Sequence, residues 1–164
     1  MTGWTQHEAD AWIGLLETHK QLTRALDAEL DAAHGLGLST LELLGRLSAA
    51  GDDWPRLSVL ARETGLSLSR VSRHMDALER RGLVQRRRCE TDSRAVEAAL
   101  TDAGRAVVRE AEAAHAAAVR ERFLSQLSAE EAAVLARVFR RFAPRAADAC
   151  AVVAPGQTVG GGGA

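Results

Sequence analysis

Residues 57–82 read LSVLARETGLSLSRVSRHMDALERRG, and residues 83–104 continue LVQRRRCETDSRAVEAALTDAG. In the first stretch Val59, Leu60 and Ala61 lie in a short helical span, 57–64, that Gly65 stops. A second span, 67–81, carries one apolar stripe of Val71, Met75 and Leu78 and meets its stop at Gly82. Its N-terminal end offers Ser67, Ser69, Arg70, Ser72, Arg73 and His74. A helix that reads duplex DNA presents small polar and basic residues at that end, so these six are candidate DNA contacts. Residues 83–89 and 95–100 have strand character on either side of a polar turn, which predicts a small hairpin. Arg86, Arg87, Arg88 and Arg94 charge it for phosphates or a minor groove, with Arg88 and Arg94 the candidates for DNA. Strand alternation points Arg87 away from Arg86 and Arg88, so at least one of the three serves structure or ligand. Short helix, tight turn, second helix and basic hairpin make a winged helix-turn-helix pattern. A solvated charged face on an ordinary helical hairpin is the competing reading, and the adjacent wing argues against it.

Outward from this segment the chain is helical. Trp12, Leu15, Leu16, His19, Leu22, Leu26 and Leu30 recur at three- and four-residue steps, predicting a helix over 7–33 that Gly35 and Gly37 end. Leu41, Leu43, Leu44 and Leu47 predict a second helix with Ser39 as its N-cap, followed by a turn at residues 51–55. After the hairpin, Thr101 starts an alanine-rich helix expected to reach about Gln126. Ser128 and Glu131 form a capping box for a last helix striped by Leu135, Val138, Phe139 and Phe142. The Gly-rich end of the chain has nothing to bury and is expected to be disordered. The fold class is therefore mainly α with a small β-hairpin wing.

The stretch from Leu57 to Gly104 resembles the MarR family of bacterial transcription regulators. The residues that carry the resemblance are Asp92 and Arg94 in the wing, followed by Leu100, Thr101 and Gly104 opening the next helix. The long flanking helices match the family layout, so the resemblance spans roughly residues 7–145. Ser93 departs from it, standing where the family often has a second arginine. The resemblance implies a homodimer with four segments per chain: an N-terminal dimerisation helix (1–36), a winged helix-turn-helix lobe (37–100), C-terminal dimerisation helices (101–148) and a tail (149–164). It also implies that Arg94 enters the minor groove and that Asp92 pairs with an arginine to hold the wing. The apolar length of the flanking helices independently favours an interface. The expected partner is double-stranded DNA carrying an imperfect palindrome.

MarR-like regulators often respond to small aromatic or anionic molecules, and four residues are candidates for holding one. Trp12 and His19 lie on one face of the first helix, as an aromatic wall and a titratable group. In the urate-responsive branch of the family, an acid and an arginine occupy positions that match Glu42 and Arg86. The competing reading makes these a core tryptophan, a satisfied histidine and a surface ion pair. Cys89 follows three arginines, and nearby positive charge activates thiols, so a redox-sensing regulator is an alternative. Peroxide sensors of the family usually carry their cysteine near the N-terminus, where this chain has none.

Composition closes off other classes. The chain has 164 residues, 46% apolar and 26% charged, which suits one domain. The net charge of −1 conceals a division: residues 1–55 sum to −6, residues 56–94 to +5 with ten arginines against five acids, and the rest to zero. One basic surface on an otherwise acidic body fits an anionic polymer. Cys89 and Cys150 have no metal-ligand spacing, so neither a metal nor a disulfide is expected, and no cofactor motif is present. No apolar run is long enough for a membrane span, and the first ten residues lack the pattern of an export signal, so a cytoplasmic protein is expected. No GxSxG, phosphate loop or HExxH exists, and the five histidines are scattered, so no enzyme is expected. A winged helix serving protein contact or DNA packaging is the remaining rival.

Overall fold

The computed structural model describes residues 3–142. Cys150 and the tail expected at 149–164 lie outside the described residues. Helix α1 (Gln6–His34) opens on a capping box in which Glu8 N–H donates to the Thr5 hydroxyl and Thr5 N–H donates to the Glu8 carboxylate at 2.7 Å. It closes on Gly35, whose φ of 62° is the left-handed cap that glycine adopts without strain.

Helix α2 (Leu38–Ala49) corrects the expected cap. Gly37, not Ser39, occupies the N-cap position, and no side chain there binds the helix end. The free Leu38 N–H instead donates to Asp27 Oδ1 of α1 at 2.7 Å. A cap supplied from eleven residues upstream leaves no local sequence pattern.

The remaining elements follow as α3 (Leu57–Thr64), α4 (Leu68–Arg80), β1 (Val84–Arg88), β2 (Val96–Leu100), α5 (Asp102–Arg122) and α6 (Ala129–Phe142). The two strands pair antiparallel, with Val84 opposite Leu100 and Arg88 opposite Val96. A bridge between Arg56 and Glu97 ties the start of α3 to the hairpin.

Helix α5 stops at Arg122, short of the expected Gln126, and gives way to a 3-10 turn over Leu124–Gln126. The Ser125 hydroxyl takes the Glu121 carbonyl at 2.6 Å, the acceptor that continued helix would have offered to the Ser125 N–H. Helix α6 begins on the expected capping box, with Ser128 N–H donating to Glu131 at 2.8 Å.

The core lies inside the lobe. Leu36, Leu43, Leu44, Leu47, Leu60, Val71, Met75, Leu78 and Val84 are each at most 2% exposed, and Val108 joins them from α5. The Leu100-Thr101-x-x-Gly104 pattern explains how α5 docks. The Thr101 hydroxyl accepts from Gly104 N–H at 3.0 Å and donates to Gly82 O at 2.7 Å, while Thr101 N–H donates to Leu83 O at 3.1 Å. A Cβ at Gly104 would sit 2.0 Å from that same Leu83 oxygen, so only glycine lets the helix approach.

Candidate nucleic-acid interface

Helix α4 is anchored from below and open above. Val71 and Met75 are fully buried and Leu78 is 1% exposed, which fixes the rotation of the helix about its axis. Ser67 caps it, its hydroxyl accepting from Arg70 N–H at 3.3 Å and lying 3.1 Å from the Ser69 hydroxyl. Arg70 and Arg73 project into solvent from the same end, with Ser72 half-buried between them.

His74 differs from its neighbours. Its Nδ1 lies 2.9 Å from Thr40 Oγ1, so the ring is engaged with α2 inside the lobe. Burial first, then the positive charges of Arg70 and Arg73, hold its pKa below the ordinary value.

The wing is held by a residue that sequence reasoning missed. Asp92 Oδ1 accepts from Arg94 N–H at 3.1 Å, folding the loop locally, while Asp92 Oδ2 lies 3.9 Å from Arg56 Nη1. Arg56 also donates to Thr91 Oγ1 and to Cys89 Sγ, each at 3.3 Å. Nothing in its neighbourhood, Trp54-Pro55-Arg56-Leu57, marks Arg56 as a wing clamp, because its partners are more than thirty residues downstream. Cys89 is 7% exposed beneath this cluster, whereas redox-reactive thiols need partial exposure.

The consecutive arginines of β1 divide as strand alternation requires. Arg86 turns to α4 and donates to Glu79 at 2.5 and 2.9 Å and to Asp76 at 2.5 Å. The bonds to Glu79 are the main reason its pKa is raised above its ordinary value. Arg87 takes the other face, donating to Glu97 at 3.0 Å and lying 4.3 Å over the Trp54 ring. The neighbouring Cys89 thiol and then the Arg87 guanidinium hold Glu97 below the ordinary carboxylate pKa.

The four residues suggested for an effector are not drawn together within the chain. Arg86 is occupied by two carboxylates, and Trp12 meets Trp4 edge to face at 6.5 Å. His19 and Glu42 are exposed. Among the described residues no hydrogen bond or ion pair joins any two of the four.

One contrast remains within the basic segment. Arg56, Arg81, Arg86 and Arg87 all donate to protein acceptors. Among the described residues, the side chains of Arg70, Arg73, Arg88 and Arg94 make no hydrogen bond or ion pair, and all four are exposed. A cleft of about 340 Å³ among α3, α4 and the wing is lined by Arg56, Ser58, Leu68, Ser72, Asp92 and Arg94.

A short helix, a turn, a second helix with an open basic end and an arginine-bearing hairpin define a winged helix-turn-helix protein. Residues 34–95 match the MarR family. The chain is 32% identical over 120 residues to the uncharacterized HTH-type transcriptional regulator YdgJ of Bacillus subtilis, covering 73% of this chain and 71% of that one. It is also similar to the crystal structure of AbsC, a MarR family transcriptional regulator from Streptomyces coelicolor. That likeness has a TM-score of 0.77 and 32% identity over 90% of this chain and 99% of that one. Sco3205, a MarR family regulator from the same organism solved in complex with DNA, superimposes with a TM-score of 0.79 at 29% identity, over 87% of this chain and 89% of that one. The chain belongs to the MarR family of transcriptional regulators. No helix among the described residues is long and apolar enough to cross a membrane.

Proposed function

We propose that this protein is a dimeric, sequence-specific DNA-binding repressor, released from an imperfect palindrome by a small aromatic or anionic effector. The observation that carries the DNA reading is the set of unpartnered arginines. Arg70 and Arg73 on α4 and Arg88 and Arg94 on the wing are exposed and bond nothing among the described residues, with Arg94 lining the cleft beside α4, while Arg56, Arg81, Arg86 and Arg87 are held by carboxylate, carbonyl or hydroxyl acceptors. Exposed cations kept free of protein acceptors are available to phosphates and base edges. The solved complex of Sco3205 with DNA supports the same assignment by likeness. Ser67, Ser69 and Ser72 supply neutral contacts at the same helix end, and His74 contributes through the fit of α4 on α2.

The dimer is supported by apolar surface that the described residues leave uncovered. Trp12, Ile13, Leu15 and Leu16 of α1 are 46–49% exposed, and Phe139 and Phe142 of α6 are 42% and 81% exposed. Exposure on this scale along two helices is a docking face. With Arg86 committed to Asp76 and Glu79, the effector reading rests on Trp12 and His19 of α1, where a partner helix would close the site.

The experiment is a gel shift with the DNA upstream of the protein's own gene, against a scrambled duplex of equal length. Specific binding should fall by about 1–3 kcal/mol for Arg70→Ala or Arg73→Ala, and steeply with added salt. A folded Arg70→Ala, Arg73→Ala double variant with unchanged affinity would remove α4 from the interface. Equal affinity for the scrambled duplex would favour DNA packaging. A titration of phenolic and purine ligands, read by Trp12 fluorescence, tests the effector.

A further inference from the structure

Arg81, the residue that caps the C-terminus of α4, reaches out of the lobe. Its Nη1 donates to the Gly35 carbonyl at 2.7 Å and its Nη2 to the His34 carbonyl at 2.9 Å. These two carbonyls close the 29-residue helix α1, where no intrahelical donor remains and the aligned peptides leave partial negative charge. A guanidinium satisfies both at once, because its planar fork presents two parallel N–H groups. Among the described residues these are the hydrogen bonds that join α4 and its cap to α1. The chain that links α1 to α2, and so to the rest of the lobe, is only residues 35–37 and turns at Gly35 in the left-handed conformation, so rotation of the lobe about these residues is a motion that the Arg81 bonds oppose.

We propose that Arg81 is a positioning residue for operator recognition, setting the angle of α4 relative to α1 and thereby the half-site spacing that the protein accepts. This rests on the dimeric DNA-binding reading above. With α1 at a two-fold interface, the two copies of α4 are separated by a distance fixed through the α1–α4 angle. Successive major grooves repeat at about one helical turn, so a rotated lobe misses the second half-site. Asp27, binding Leu38 N–H, holds the far side of the same junction, and Arg122 of α5 pairs with Glu29 further along α1, so the Arg81 bonds are the tie that fixes the end of α4 itself within this frame. Arg81 is exposed and supports no core side chain, so its removal leaves the lobe folded.

The test uses the full chain and two duplexes: the upstream palindrome that wild type protects, and the same duplex with one base pair inserted between half-sites. Anisotropy titrations should give wild type a clear preference for the natural spacing. Arg81→Ala and Arg81→Gln should each bind the natural duplex about 5-fold or more weakly, with the preference between duplexes reduced by a similar factor. Arg81→Lys, which reaches one carbonyl but has no fork, should fall between. Equal losses on both duplexes would mark Arg81 as a plain phosphate contact or stability residue and overturn the proposal. So would unchanged affinities in variants that melt and sediment as wild type does. A wild-type chain that binds neither duplex, or sediments as a monomer, would instead overturn the reading beneath it.

Discussion

Between Leu36 and Leu100 most leucines are buried against other elements of the same chain, whereas along α1 only Leu30 is buried and along α6 no residue is. Both regions are amphipathic helices written in similar residues. The lobe folds its stripes onto one another across α2, α3, α4 and the hairpin. The arms carry stripes for which the described residues offer no cover. Apolar periodicity thus means core in one region and docking face in the other, and only the arrangement of neighbours distinguishes them. The free-standing tryptophans and phenylalanines of the arms are the physical ground for the proposed dimer.

The sharpest way to break this comparison is to truncate one leucine of the lobe. Leu44→Ala, at a position with no exposure, should cost about 2–5 kcal/mol in urea unfolding, because the cavity cannot collapse. A loss below about 1 kcal/mol would mean that the lobe core is not the cooperative unit described here.

Charging the arms is the complementary experiment. Leu16→Asp combined with Phe139→Asp should convert a dimer to a monomer in sedimentation at micromolar concentration, costing about 2 kcal/mol or more at each anchor. The far-ultraviolet circular dichroism of the lobe should persist. Unchanged sedimentation would show that the exposed stripes are not the interface.

Two histidines tie the regions to pH. His74 joins α4 to α2, and His115 is half-buried on α5 with no hydrogen-bond partner for Nδ1. Burial lowers the pKa of both below the ordinary 6.5. The unfolded chain then binds more protons between the folded and unfolded pKa values, so no penalty exists above 6.5 and one accumulates as pH falls from there towards the folded values. Glu112, raised by burial from its ordinary 4.5, acts with the opposite sign: the folded chain gains stability as pH falls through its raised pKa. Urea midpoints should therefore drop as pH falls below about 6.5, and a His74→Gln, His115→Gln variant should show a flatter profile there. An unchanged slope in that variant would assign the pH dependence elsewhere.

The smallest effect on stability should come from the wing. The Arg56–Asp92 pair is 3.9 Å apart and over 40% exposed on both sides, so Asp92→Ala should cost only about 0.2–1 kcal/mol in unfolding. Affinity for DNA should fall more than this, because the loop that presents Arg94 loses both its Arg56 tie and the Asp92 acceptor of Arg94 N–H. Parallel losses in stability and affinity would mean that the wing contributes only through folding.

Much of the lobe was legible because its signals are local. Ser67 and Gly82 bracket α4 one and two residues outside its ends, since a cap and a left-handed glycine act on the nearest turn. The Ser128–Glu131 box and the stop at Gly65 were readable for the same reason. The wing strands followed from alternation, and so did the opposed directions of Arg86 and Arg87. The partners of those arginines did not follow, because Asp76 and Glu79 share a helix face that strand spacing cannot see.

The sequence by itself determined which segments are helix and which are strand, which face of each helix is apolar, and the family to which the chain belongs. Caps, periodicities and the Leu100–Gly104 pattern are set by contacts within a few residues. Tertiary structure alone decided that Asp27 rather than Ser39 caps α2, that His74 faces Thr40, that Arg56 clamps the wing, and that Arg81 closes α1. Each of these joins atoms between eleven and forty-seven residues apart. A side chain's chemical type states what it can bond, and only the packing of helices and hairpin places an acceptor within its reach.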